Sequence, residues 1–264
     1  MIKLIATDLD GTLINDYGKI NEKIFSLIEL LNKKNIIFAA ASGRFYSQLS
    51  KNFQKANSNM LFIAHNGALI KYNKSDKVLY SNCIRQEDIK KIASLKRDLG
   101  EELFLAGDDT AYIVNPSQII LDEFKNCEVI AEKVKSFDEL KSPIYKMTYY
   151  VKDGVKPEMI EYLKSNINDN LEFVLSGDKW IDIANKGVSK GNAIRILQEK
   201  FNIDEKDTMV FGDYYNDLTM FKRAYYSYAM KNAPEDVKEY ANFIAESNND
   251  NGVYKVINEY AVSL

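Results

Sequence analysis

The chain has 264 residues, enough for a large core and long for one ordinary domain, so two compact units are expected. Its 35 basic and 38 acidic side chains leave a net charge of −3, which excludes the basic excess of a general nucleic-acid binder. Cys83 and Cys127 lack metal-ligand spacing and point to thiols of a reducing cytoplasm. The N-terminus has no signal-peptide layout and no apolar run reaches the length of a membrane span, so a cytoplasmic protein is expected.

Met1 to Thr7 forms an apolar run with the look of a buried parallel strand, and it ends at Asp8-Leu9-Asp10-Gly11-Thr12. Two carboxylates then stand at the carboxyl end of a strand, the rim where open α/β sheets bind ligands. Such carboxylates repel, and a hard oxygen-seeking cation such as Mg2+ would relieve the repulsion. Gly11 allows a tight turn and close approach of backbone N–H groups to an anion. The Asp16-Tyr17-Gly18 turn follows as a small flap, then a helix over 22–32 with Asn21 as its N-cap. Ile36 to Ala41 is a second strand, leading through Ser42-Gly43-Arg44 into a helix over 45–55. A hydroxyl and open N–H groups at that helix start make an anion cradle, or Ser42 simply caps the helix. Arg44 can pair with phosphate or with a carboxylate.

Leu61 to Ala64 is a third strand ending at His65-Asn66-Gly67-Ala68. His65, the sole histidine, is read as a hydrogen-bonded or surface residue rather than a catalyst. From Leu69 the pattern changes to hairpins mixed with helices. Strands at Leu69–Tyr72 and Val78–Ser81 flank the turn Asn73-Lys74-Ser75-Asp76. A helix over Gln86 to Leu99, a hairpin of 103–106 with 111–114, and a helix over 116–124 follow. Strands at 144–151, 171–175 and 180–184, with a helix at 157–166, complete an inserted α+β domain. Alternation puts Trp180, Asp182 and Ala184 on one face of the last strand. Trp180 or Asp182 would touch a substrate if that face looks into a site; a packed aromatic and a surface acid serve equally well.

The strand–helix pattern returns at Gly187-Val188-Ser189-Lys190-Gly191, which opens a helix to Phe201. A lysine in a first helical turn opposes the helix dipole, and facing phosphate and carboxylates would supply the reason for it. Thr208 to Phe211 is a fourth core strand, ending at Gly212-Asp213-Tyr214-Tyr215-Asn216-Asp217. Strands at 226–230 and 242–245, a helix opened by Pro234 and a terminal helix over 253–260 finish the chain. If the core strands are parallel in one sheet, their ends bring Asp8, Asp10, Ser42, Lys190, Asp213, Asn216 and Asp217 together.

The set DLDGT, ASGR, the lysine of GVSKG and GDYYND resembles the four motifs of haloacid dehalogenase-superfamily phosphatases. The long insert between HNGA and GVSKG resembles the Cof-type subfamily IIB branch, with Ser42 where relatives often carry Thr. The resemblance implies an α/β fold. Its Rossmann-like doubly wound parallel core would span roughly residues 1–82 and 186–264, with an inserted α+β cap over about 83–185 choosing the substrate. It implies Asp8 as nucleophile, forming an aspartyl-phosphate, and Asp10 as general acid and then base. Mg2+ would be held by Asp8, the Asp10 carbonyl and Asp213. Leu9, Ser42, Gly43, Lys190 and Asn216 would hold the phosphoryl oxygens, with Asp217, Thr12 and Arg44 supporting them. The expected partner is a small phosphorylated metabolite, such as a sugar phosphate, flavin mononucleotide or pyridoxal phosphate, with no nucleic acid, membrane or obligate protein partner. A phosphomutase of the same superfamily, or a non-enzymatic phospho-aspartyl regulatory domain, would use the same acidic strand end.

Overall fold

The computed structural model describes residues 1–75, 77–95, 101–176 and 178–262, without the side chains of Glu101 and Val262. In chain order its strands are β1 (Leu4–Thr7), β2 (Ile37–Ala41), β3 (Leu61–Ala64), β4 (Leu69–Tyr72), β5 (Val78–Ser81), β6 (Glu101–Ala106) and β7 (Thr110–Val114). They continue with β8 (Ile130–Val134), β9 (Lys146–Val151), β10 (Leu171–Leu175), β11 (Trp180–Asn185), β12 (Thr208–Gly212), β13 (Tyr226–Met230) and β14 (Phe243–Ala245). The helices are α1 (Lys23–Lys33), α2 (Tyr46–Asn52), α3 (Gln86–Ala93), α4 (Gln118–Asn126), α5 (Pro157–Asn166), α6 (Lys190–Phe201), α7 (Leu218–Phe221), α8 (Glu235–Lys238) and α9 (Gly252–Val262). Among the described residues no helix is long and apolar enough to cross a membrane.

The chain divides into two compact units, Met1–Ser81 with Ser189–Leu264, and Asn82–Val188. The first holds a sheet of order β14-β13-β12-β1-β2-β3-β4-β5. The strands from β14 to β3 are parallel, while β4 and β5 return antiparallel. β1 is central, and all four of its residues are buried, so its alternate side chains feed two cores. Leu4 and Ala6 join Ala193, Ile194 and Leu197 of α6 and Met220 and Phe221 of α7 in one apolar layer. Phe38 and Phe62 meet Phe53, just past α2, with ring centroids 6.5 and 5.6 Å apart. Full burial of a Leu, Ile or Phe contributes about 1.5–3 kcal/mol, so this two-sided packing fixes the strands whose ends carry the polar loops. This is the doubly wound core that the family resemblance implies.

The second unit is a sheet of order β10-β11-β9-β6-β7-β8. It is antiparallel except for the β7–β8 pair, which α4 connects. One face carries Leu103, Leu105, Met147, Tyr149, Ile181 and Ile183 into a core with Ile89 and Ile92 of α3 and Met159 and Leu163 of α5. The boundaries fall after Ser81 and Val188 rather than after residues 82 and 185. Asn185 donates to Asn82 Oδ1 and the Cys83 carbonyl, and the Lys186 N–H to the Asn170 carbonyl, which ties these residues to the second unit.

Several boundaries differ from the sequence expectation. α2 begins at Tyr46, and the Phe45 N–H bonds the Gln48 side chain; Ser42 lies upstream and is not the cap of this helix. α4 begins after Ser117, whose Oγ accepts from the Ile120 N–H, so Pro116 precedes the helix instead of entering its first turn. β8 is a strand the sequence did not reveal. Leu99, placed on the α3 face, and Asp76, placed in the β4–β5 turn, lie outside the described residues.

Candidate active site

The site is built from the carboxyl ends of β1, β2, β3 and β12, all within the first unit. Asp8 directly follows β1; its N–H bonds the Phe211 carbonyl of β12 at 2.9 Å, so the two acidic loops leave the sheet side by side. Gly11 turns the chain at φ +73°, and a Cβ there would overlap the Asp213 carboxylate. Only glycine serves both demands. Thr12 Oγ1 then donates to Asp213 Oδ1 at 2.8 Å, which locks the β1 loop to the β12 loop.

Lys190 is the first residue of α6, with Ser189 as N-cap accepting from the Asn192 N–H. Its neighbour Gly191 lies against the Thr219 carbonyl, where any Cβ would clash, and its N–H bonds Thr219 Oγ1 at 3.0 Å. That close approach of α6 to α7 sets Lys190, only 1 % exposed, between Asp8 Oδ1 at 2.5 Å and Asp217 Oδ1 at 2.7 Å. An isolated buried ammonium would cost several kcal/mol, and two carboxylates offset it. The lysine at a helix start thus has the reason the sequence demanded. Asp217 Oδ2 accepts from the N–H groups of Asp213 at 2.9 Å and Tyr214 at 3.1 Å, so this acid orders the loop and the lysine.

One ammonium among three carboxylates leaves an excess of negative charge. Ligand oxygens of Asp8, Asp213 and Asp217 lie within 4.8 Å of one another. Burial first, and then the Asp217 charge, push Asp8 well above the ordinary carboxylate range against the pull of Lys190. Burial likewise lifts Asp213 to about 6, against the Thr12 hydrogen bond, with the Asp217 charge adding to the rise. An all-oxygen donor set short of positive charge fits a hard divalent cation, which Asp8 and Asp213 could hold, since both Asp217 oxygens already serve N–H donors.

Asp10 lies at the rim with its side chain about half exposed. Arg44 Nε donates to its Oδ2 at 2.8 Å and Nη2 to its Oδ1 at 2.5 Å. Of the two partners open to Arg44, the structure therefore has the carboxylate. Ser42 is buried; its Oγ accepts from the Arg44 N–H at 3.2 Å and its carbonyl from the Asn66 N–H at 2.9 Å. His65 is buried against Phe45, edge to face at 5.1 Å. Asn216 Nδ2 donates to Asn66 Oδ1 at 3.3 Å, and the same Asn66 amide lies beside Gly43. Ser42, Gly43 and Asn216 thus gather on Asn66. Sequence reasoning passed over Asn66 as one polar residue of a strand end; the Asn-Gly pair there was the available signal. It also missed Asn232 and Asn248, whose amides reach the β1 loop from turns near the C-terminus.

Trp180 and Asp182 belong to the second unit. Trp180 packs on Tyr150 at 4.6 Å and Phe104 at 6.3 Å. Asp182 accepts from Lys146 at 3.0 Å, Thr148 at 2.7 Å and Ser176 at 2.8 Å. Burial would raise its pKa, but the Lys146 charge and the three donors hold it below the ordinary value.

The haloacid dehalogenase-like hydrolase family matches residues 5–257. The chain is 31% identical over 263 residues to the 5-amino-6-(5-phospho-D-ribitylamino)uracil phosphatase YbjI of Escherichia coli, covering 98% of this chain and 96% of that one. Among solved structures it resembles SMU.1108c of Streptococcus mutans, with TM-score 0.86, 32% identity, and 99% and 100% of the two chains covered. It also resembles the subclass IIB sugar phosphatase BT4131, with TM-score 0.80, 25% identity, and 98% and 99% covered. With the motif loops gathered on one sheet rim and a family match over nearly its whole length, the chain belongs to the haloacid dehalogenase-like hydrolases, as a Cof-type phosphatase.

Proposed function

We propose that the protein is a Mg2+-dependent phosphatase that hydrolyses small phosphomonoesters through a phosphorylated Asp8. The observation that carries the reading is the buried Asp8 carboxylate, held by Lys190 and set beside Asp213 at the end of β1. An Asp8 oxygen attacks phosphorus in line as the bond to the ester oxygen breaks, and Asp10 gives its proton to the departing alcohol. Asp10 then takes a proton from the water that attacks phosphorus, which releases phosphate and restores the Asp8 carboxylate. Asp10 must exchange its Arg44 contact for the ester oxygen to do this. Asp8, the Asp10 carbonyl and Asp213 would hold Mg2+, which neutralises phosphoryl charge when bound. Leu9, Gly43, Ser42, Asn216 and Lys190 orient the phosphoryl oxygens, and Thr12 and Asp217 hold Asp213 and Lys190 in place.

The second unit serves as the substrate-selecting cap, with Trp180 and Asp182 on the sheet face opposite its helical core. The relatives named for a ribitylamino-uracil phosphate and for sugar phosphates favour an ester of a sugar or polyol hydroxyl as substrate. The test is phosphate release from such esters, with flavin mononucleotide and pyridoxal phosphate in the same panel, with and without Mg2+, and Asp8→Asn as control. Mg2+-dependent release that disappears in the variant is expected. Phosphorylation of Asp8 without release from any ester would overturn the phosphatase in favour of a mutase or regulatory role.

A further inference from the structure

The turn after β13 carries a residue that the reaction as described does not use. β13 runs parallel to β12 and so ends on the same rim. Two residues beyond its end, Asn232 Nδ2 donates to the Gly11 carbonyl at 2.8 Å. Asn232 Oδ1 accepts from the Asn248 N–H at 3.0 Å, which orients the amide with its NH2 group toward Gly11. Asn248 is itself buried, and its Nδ2 donates to the Ile14 carbonyl at 3.1 Å and to Asp16 Oδ1 at 2.9 Å. Asn232 is solvent-exposed, so its fixed amide cannot be explained by packing.

What the amide holds is the Gly11–Thr12 peptide. That peptide carries two of the contacts that shape Asp213: the hydrogen on Gly11 Cα that leaves room for the carboxylate, and the Thr12 hydroxyl that donates to Oδ1. Asp213 is thus steered by a peptide whose carbonyl is clasped from outside the loop. We propose that Asn232 is a positioning residue for cation binding, acting through the Gly11–Thr12 peptide on Asp213. The inference rests on the metal reading above. Asparagine suits the task because one planar group donates to Gly11 and accepts from Asn248 at once. Aspartate has the same shape but, ionised, only accepts, and would face the Gly11 carbonyl with an oxygen.

The experiment is direct calorimetric titration of Mg2+ into the full chain without ester, for wild type, Asn232→Ala and Asn232→Asp, with melting temperatures as the check on folding. Both variants should bind Mg2+ about tenfold more weakly, the low end of the effect of groups that orient metal ligands. Charge alone would make Asn232→Asp bind the cation more tightly, so weaker binding there isolates the lost donor. At saturating Mg2+, KM for the ester and kcat should return to within about twofold of wild type, a rescue that general loss of structure would not permit. Wild-type affinity in both folded variants would overturn the inference and leave the metal reading intact. Absence of Mg2+ binding by the wild-type chain would overturn both.

Discussion

The two units each bury acids, with opposite results. In the first, Asp8 and Asp217 share one lysine with Asp213 beside them, and Asp8 and Asp213 are pushed above the ordinary carboxylate range. In the second, Asp182 has Lys146, Thr148 and Ser176, while Asp88 has Arg85, Asn170 and Asn168. Burial opposes ionisation at both, yet their partners hold both below it. Burial alone therefore does not mark a reactive acid. The mark is burial with too few donors, because that deficit is what a cation can fill.

The comparison can be broken at its strongest point. Asp8→Asn should lower kcat by at least ~10^3-fold, since an amide cannot take up phosphorus as a carboxylate does; phosphate-release assays read it. Next come the two lysines. Lys190→Met leaves Asp8 and Asp217 without their cation and should cost about 3–5 kcal/mol in urea unfolding, part of it recovered by millimolar Mg2+. Lys146→Met should cost about 1–3 kcal/mol, because Thr148 and Ser176 still serve Asp182, with no recovery by Mg2+. Equal recovery in both would erase the distinction between the clusters.

Two smaller effects sharpen it. Arg44→Gln removes one charged partner from Asp10 and should change kcat by about tenfold while KM moves little, read from steady-state kinetics. The pH dependences should differ in sign. Asp213, at about 6 when folded against an ordinary 3.8, binds its proton more tightly in the native state. It therefore lowers stability as pH rises from about 4 to about 6. The lowered Asp182 and Asp88 contribute stability above their ordinary pKa that is lost as pH falls through their folded values. Melting temperatures of Asp213→Asn against wild type across pH 4–7 should show the first slope removed.

Legibility followed physical cause. β3, β4, β5, β10, β13 and α5 have the spans read from the sequence, because apolar runs bounded by turn residues mark them. β8 escaped because it is a sheet margin: its Ile-Ala-Glu-Lys-Val side chains are nearly all exposed, and only backbone pairing to β7 makes it a strand. The acids and Ser42 were legible because charge or hydroxyl at a strand end needs a purpose, and Lys190 because a cation at a helix start does. Asn66, Asn232 and Asn248 were not, since loop asparagines are common and their work consists of reaching carbonyls and amides remote in sequence.

The central position of β1 has a consequence for synthesis. On one side it pairs with β2 about 30 residues later, but on the other Leu4 waits for Thr208. At ~5–20 residues per second, that edge stays open on the ribosome for roughly 10–40 s. Asn82–Val188 is contiguous and emerges whole within that interval. The nascent chain therefore holds a buried-type strand with an unsatisfied flank while the whole inserted unit is made, a window in which chaperone capture or self-association competes with closure of the sheet.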